Sequence, residues 1–138
     1  VVAHFLRPGG SLHFADLHPV AAVFDGLGDV TDIEGRPAWL LPYFGRASQV
    51  FDDPLDYADP AARLSNSRTV NWLHPLSDIL AALSAAGLRL DWLHEHPVLP
   101  WRCFPGLVRN ADRLWSWPGK AWLPLAVTLR ATLVHGSR

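Results

Sequence analysis

The sequence predicts an α/β domain, and three stretches of the chain carry that prediction. Residues 11–17 alternate after a Pro-Gly-Gly turn and are largely apolar on both sides, which is typical of a strand covered on both faces. Residues 75–86 have the apolar spacing of an amphipathic helix, and a strand-like stretch follows them. Residues 124–134 alternate again and predict a final strand.

The chain begins with a short apolar stretch that predicts the last turn of a helix. Arg7 suits a helix C-terminus, Pro8 cannot continue the helix, and the next two glycines can supply the positive φ of an exit turn. The strand that follows ends in the sequence Asp-Leu-His-Pro, and residues 19–27 then predict a short helix or turn.

Residues 28–72 are predicted to form an insertion that acts as a lid or pocket wall. This part of the chain is rich in Gly, Pro and Asp but keeps several aromatic side chains, a combination more typical of a functional loop than of a plain connection. Within it, residues 48–52 are expected to pair with residues 68–72 as a hairpin.

The stretch PLSDILAALSAA, residues 75–86, has the strongest helical pattern in the chain. Its apolar positions, spaced i, i+3, i+4 and i+7, are Leu76, Ile79, Leu80 and Leu83. Pro75 suits the first helical position and Gly87 the residue just past the end.

The stretch LRLDWLHEH, residues 88–96, then predicts a strand. Residues 97–122 hold four of the seven tryptophans, which are expected to be core, and predict a short helix near residues 107–114.

The composition limits the classes of protein that need to be considered. The chain has 138 residues, of which 49% are hydrophobic, so a single globular domain is expected. A net charge of −1 without a basic cluster argues against nucleic-acid or membrane binding. One cysteine, Cys103, excludes an internal disulfide and favours a reducing, cytoplasmic setting. The absence of methionine predicts a processed or partial chain, and one lysine among twelve Lys and Arg residues suggests a high-GC bacterial source.

Three stretches, in this order, resemble the C-terminal half of a class I S-adenosylmethionine-dependent methyltransferase of the small-molecule type. They are FLRPGGSLHFADLHP, WLHPLSDILAALSAAGLRLDWLHEHP and PLAVTLRATL. The resemblance covers nearly the whole chain. It implies a partial Rossmann-like fold with the C-terminal strands in the family order 5-7-6, the last of them antiparallel, plus the inserted hairpin.

The resemblance also implies that residues 1–138 are a single partial domain whose N-terminal, cofactor-binding half is missing. Residues that bind S-adenosylmethionine are therefore not expected in this chain, and Gly26-Leu27-Gly28 does not join a strand to a helix as a cofactor loop must. The parent enzyme would methylate a small molecule, while this part supplies sheet edge and substrate-pocket wall and is inactive alone. The alternative is a noncatalytic binding or interaction module.

Five residues are candidates for the substrate pocket, whereas the resemblance supplies no catalytic residue. Ligands of open α/β sheets bind beyond the carboxyl ends of the parallel strands, where Asp16 and His18 lie. Trp72 and His74 precede the helix and are expected near the same pocket, and Tyr43 belongs to the predicted lid. The alternatives are a helix cap for Asp16, a loop position for His18 and a core position for Trp72.

No metal site and no cysteine nucleophile are expected. His94 and His96 would share one face of a strand, but no third ligand stands at a recognised spacing. Cys103 lacks a placed histidine base. A further expectation follows from the missing half: the strand at residues 11–17 keeps an unpaired apolar edge, which favours self-association.

Overall fold

The computed structural model describes residues 1–24, 38–52, 54 and 61–134, and shows a mixed α/β fold with antiparallel sheets. In chain order its elements are α1 (Val2–Phe5), β1 (Ser11–Leu17), a 3-10 turn (Ala21–Val23), β2 (Gln49–Asp52), β3 (Arg68–Asn71), α2 (Leu76–Ala85), β4 (Leu88–His96), β5 (Val98–Leu99), β6 (Val108–Arg109), β7 (Trp115–Ser116) and β8 (Ala126–Leu133). The predicted first strand, hairpin, long helix, second strand and final strand are confirmed. Residues 28–37, 53 and 55–60 of the predicted insertion lie outside the described residues.

The main sheet has three strands in the order β1-β8-β4. β8 lies in the centre and is antiparallel to both neighbours, so β1 and β4 run in the same direction. In one row of the sheet, Leu129 of β8 stands between Phe14 of β1 and Leu93 of β4. The register of β4 shifts between Leu90 and Trp92, where a bulge interrupts the ladder.

The turn between α1 and β1 needs both of its glycines, for different reasons. Gly9 has a φ of 78°, in the left-handed region that side chains disfavour, and its N–H donates to the Leu133 carbonyl at 2.8 Å. Gly10 has no such φ, but a Cβ on it would lie 2.8 Å from the Arg7 carbonyl oxygen. The turn therefore fixes the entry of β1 beside the end of β8.

One face of the sheet forms the first of two cores. Alternate residues of β8 are buried on this face: Val127, Leu129, Ala131 and Leu133. The apolar stripe of α2, which includes Ile79, Leu80 and Leu83, packs against this face. Removing this apolar surface from water is the main stabilisation of α2, because ten residues make only a marginal helix alone.

A second core lies under the segment between β4 and β8. Leu99, Phe104, Leu107 and Leu125 are buried there together with Ala21 of the 3-10 turn. The short strands β5, β7 and β6 form a small antiparallel sheet over this core. The four tryptophans of the segment divide equally: Trp115 and Trp117 pack on the core, while Trp101 and Trp122 are exposed.

The predicted helix near residues 107–114 is wrong, because this stretch forms the β6–β7 hairpin. The Asn110 N–H donates to the Leu114 carbonyl at 2.7 Å, and the Asn110 side-chain oxygen accepts from the Leu114 N–H at 2.9 Å. Arg113 has a φ of 63°, which a continuing helix does not allow. Asparagine commonly bonds nearby backbone in this way and competes with helix formation.

Candidate functional site

A cleft of about 1180 Å³ opens at the carboxyl end of β1. Its walls come from the end of β1, the 3-10 turn, the β2–β3 hairpin, the approach to α2 and residues 102–104. Most of the lining is apolar, and the aromatic members are Phe14, Phe24, Phe51, Trp72 and Phe104. An apolar cleft with a few polar groups is the usual form of a small-molecule site.

Three of the five predicted site residues line this cleft: Asp16, Trp72 and His74. The Asp16 side chain is exposed, and its Oδ1 accepts a hydrogen bond from the Leu17 N–H at 2.7 Å. The following 3-10 turn has no side-chain cap, so Asp16 does not act as its capping residue. Trp72 is 54% exposed and is therefore a lining residue rather than a core residue.

His18 lies beside the cleft but not among its lining residues, and it is 4% exposed. Its carbonyl accepts from the Ala21 N–H at 2.8 Å, and its Nδ1 accepts from the Val20 N–H at 3.1 Å. Its Nε2 lies 2.9 Å from Glu95 Oε1 of β4, a close contact that lacks the alignment of a hydrogen bond. His18 therefore fixes the 3-10 turn that forms one wall of the cleft.

The surroundings of His18 favour its neutral form. Burial lowers the pKa of this imidazole below its ordinary value, and the nearby Glu95 carboxylate opposes the shift without reversing it. The Val20 N–H also needs a lone pair on Nδ1, which protonation there would remove. The proton of the neutral ring consequently sits on Nε2 and faces Glu95.

Tyr43, the last predicted site residue, contacts the N-terminus of α2 and is not among the residues that line the cleft. Its Oη accepts a hydrogen bond from the Leu76 N–H at 3.1 Å, which satisfies a donor in the first turn of α2. Its ring packs edge-on against Phe44, with centroids 4.9 Å apart. Tyr43 thus joins the segment before the hairpin to the helix that follows it.

Sequence reasoning missed the residues that the C-terminal segment brings to the cleft, Arg102, Cys103 and Phe104. These residues are more than eighty positions from β1, and no spacing pattern connects them with it. Burial raises the pKa of the Cys103 thiol to about 11, so this cysteine is a protonated thiol at neutral pH and is a poor nucleophile. Phe51, by contrast, had a usable signal, because it lies in the predicted hairpin.

The histidine pair on β4 is placed as its alternation predicts. The rings of His94 and His96 are 6.3 Å apart, and His96 Nε2 lies 2.7 Å from Thr128 Oγ1. Within residues 1–24, 38–52, 54 and 61–134, no three His, Cys, Asp or Glu side chains come together as a metal-binding group. None of the helices in the described part of the chain is long and apolar enough to cross a membrane.

The described residues do not by themselves form a nucleotide-cofactor cradle. Such a cradle needs a glycine turn that leads from a strand into the N-terminus of a helix. The glycine turns at Gly9-Gly10 and at Gly87 run the other way, from a helix into a strand. Gly26 and Gly28 lie outside the described residues.

No protein-family model and no curated protein sequence matches the chain. Among solved structures, it is similar to the crystal structure of a candidate S-adenosylmethionine-dependent methyltransferase from Listeria monocytogenes, with a TM-score of 0.55 and 18% sequence identity. The match covers 96% of this chain and 51% of that one, so the chain spans about half the length of that structure. At this identity the likeness shows a shared fold.

Proposed function

We propose that this chain is the C-terminal half of a class I methyltransferase domain and forms the sheet edge and acceptor-pocket wall of an enzyme that methylates a small molecule. The observation that carries the proposal is the apolar cleft at the carboxyl end of β1, in a sheet whose last strand lies antiparallel between two parallel ones. Open α/β sheets bind their ligands at this end of the strands.

Two further observations support the proposal. The order β1-β8-β4 corresponds to the order 5-7-6 that the sequence resemblance implies. The structure from Listeria monocytogenes shares the fold over 96% of this chain and has about as many residues again, which leaves room for a cofactor-binding half. In this proposal, S-adenosylmethionine binds to parts of the domain upstream of β1.

The role of the described residues is to bind and orient the acceptor and to exclude water. Trp72 and Phe51 supply apolar surface, while Asp16 at the end of β1 and His74 before α2 supply polar groups. Holding an acceptor in one orientation contributes a large part of the rate of a transfer reaction, without covalent participation of the protein. No catalytic residue is assigned.

The test compares the chain with a version extended upstream by about 100–130 residues, a typical half-domain addition. Calorimetric titration should detect S-adenosylmethionine binding to the extended protein and none to residues 1–138. In the extended protein, Trp72→Ala should keep cofactor binding and lose acceptor turnover. If the extended protein is folded but does not bind S-adenosylmethionine, the proposal is wrong.

The second candidate function is a noncatalytic binding module. It is favoured by the cleft itself, which is concave and lined mostly by apolar side chains, the usual form of a ligand-binding site. The two candidates separate on the sequence upstream of Val1: a strand, glycine turn and helix there support the methyltransferase, whereas an unrelated domain supports the binding module.

We further propose that the free edge of β1 drives self-association of the isolated chain. Among the described residues β1 pairs with β8 alone, and its other edge carries no lysine or proline. Light scattering after size exclusion should show oligomers that Ala15→Lys reduces, because a charged edge discourages strand pairing. Ala81→Lys, on the exposed side of α2, is the control and should leave them unchanged.

A further inference from the structure

The cleft contains an acid that the described part of the protein leaves without a cation. Asp16 accepts from the Leu17 amide, and no Arg or Lys of the described residues lies within ion-pair distance of it. The lining also contains one cation, Arg102, which keeps its charge but is directed away from Asp16 by its contacts: its Nη2 donates to the Pro105 carbonyl, and its guanidinium lies 5.5 Å from the centre of the Trp115 ring.

A second lining acid has partners of its own. Asp52 accepts a hydrogen bond from the Ser67 hydroxyl, and Arg68 stands opposite it in the hairpin register. Opposite charges at facing positions of a hairpin partly neutralise one another. Asp16, at the end of β1, is therefore the lining acid that has no cationic neighbour among the described residues.

Two aromatic residues in the lining of the same cleft are open to solvent. Trp72 is 54% exposed and Phe51 is 40% exposed, although both line a concave site. Aromatic rings of this size stabilise a protein chiefly when they are covered, so exposed rings inside a concave site offer apolar surface that a ligand can cover. An aromatic face also attracts a cation, and tryptophan does so most strongly.

We propose that the cleft binds a ring-containing molecule with a protonated amine and discriminates against its anionic analogues. The ring lies against Trp72 and Phe51, and the ammonium group lies near Asp16. A carboxylate at the same place would face the Asp16 charge without a partner. This inference rests on the proposed function in using the same cleft, but the binding that it describes needs no methyl donor.

The experiment uses three probes with one ring and similar length: 2-phenylethylamine, 2-phenylethanol and 3-phenylpropionate. Each is titrated at neutral pH into the ¹⁵N-labelled 138-residue chain, at a concentration at which light scattering shows it to be monomeric, while the tryptophan side-chain N–H signals are followed. The signal of Trp72 is identified by its loss in Trp72→Phe. We expect the amine to shift this signal with a Kd about tenfold lower than that of the carboxylate, as one partly screened charge contact gives.

Two matched variants attribute the preference to the carboxylate. Asp16→Asn keeps an oxygen for the Leu17 amide but removes the charge, and should weaken amine binding about tenfold while leaving the alcohol unchanged. Asp112→Asn removes the same charge from an exposed turn residue outside the lining, and should change neither. Added salt should weaken the amine more than the alcohol.

Three outcomes would overturn the inference: carboxylate binding as tight as amine binding, an amine-to-alcohol ratio unchanged in Asp16→Asn, or no shift of the Trp72 signal with any probe. Failure of the proposed function looks different. Amine binding without methyl transfer by the extended protein would reject the methyltransferase and keep this inference. Methyl transfer to an anionic acceptor in this cleft would reject this inference and keep the methyltransferase.

Discussion

β8 and the β2–β3 hairpin both form antiparallel pairs, but they differ in how many of their side chains are buried. Along β8 the residues alternate, and every second one is buried. In the hairpin, seven of the eight residues are exposed, among them Val50, Phe51 and Val70. We refer to α2, β1, β4 and β8 as the body, and to residues 38–52 and 61–74 as the wall. The body is stabilised by buried apolar side chains, whereas the wall is attached by a few hydrogen bonds and an ion pair.

The attachment points of the wall can be named. The N–H groups of Leu40 and Leu41 both donate to the Val23 carbonyl, at 2.8 and 3.0 Å. Tyr43 accepts from the first N–H of α2, and Arg46 pairs with Asp78. A two-stranded hairpin is marginally stable by itself, so these contacts position it. Segments of low local stability are where ligand sites are usually found.

The largest effect is expected in the body. Leu129 is fully buried in the centre of β8, and Leu129→Ala should lower the free energy of unfolding by about 3 kcal/mol through lost burial and the cavity left behind. Urea denaturation followed by circular dichroism measures this change.

Leu90→Ala is the matched control, since it removes the same atoms from the same sheet at a residue that is 40% exposed. It should cost less than about 1 kcal/mol. Equal losses in the two variants would mean that the described burial does not determine the stability of the body.

The next effect concerns the junction of wall and body. Tyr43→Phe removes the oxygen that accepts from the Leu76 N–H and leaves the ring contact with Phe44 in place. The loss should be about 1 kcal/mol, as for a removed helix cap. The same denaturation experiment measures it, and hydrogen exchange should show faster exchange in the first turn of α2. Unchanged exchange there would contradict the capping role.

The difference between body and wall also explains which elements of the structure could be predicted from the sequence. The elements of the body are periodic: the alternation of residues 126–133 and the helical spacing of Leu76, Ile79, Leu80 and Leu83 each follow from one buried face. Their ends could be placed because Pro75 and Gly87 mark them. Such signals are local, and so they can be read from a single sequence.

The cleft depends on contacts that are distant in the sequence. Asp16, Trp72 and His74 could be proposed from the ends of elements, but Arg102 and Phe104 reach the cleft only through the packing of the second core. The position of His18 shows the same limit. Its place at a strand end suggested a ligand-facing role, whereas burial against Glu95 depends on how β4 lies beside β8.

His18 predicts a pH dependence of stability. Its pKa in the folded chain is below the ordinary 6.5, because burial outweighs the attraction of Glu95. The unfolded chain therefore takes up a proton near pH 6.5 that the folded chain does not. The contribution to stability is complete above that pH and is lost as the pH falls toward the lower, folded-state pKa.

His18→Gln should remove this part of the pH dependence, since glutamine retains polar atoms toward Val20 and Glu95 but does not titrate. Denaturation at pH 7.5 and pH 5.5 should show a smaller difference in the variant than in the wild type. His13→Gln, on an exposed position of β1, is the control and should retain the wild-type difference. An undiminished difference in His18→Gln would show that other groups cause it.

The smallest effect is expected at the ion pair between wall and body. Arg46 Nη2 lies 3.3 Å from Asp78 Oδ2, and the two side chains are 84% and 40% exposed, so solvent screens the attraction. Arg46→Gln should cost at most about 0.5 kcal/mol, and the cost should vanish in high salt. Asp78→Asn should cost more than Arg46→Gln, because Asp78 also lies in the first turn of α2, where the helix dipole favours a negative charge. Equal costs in the two variants would mean that the ion pair alone accounts for the stabilising effect of Asp78.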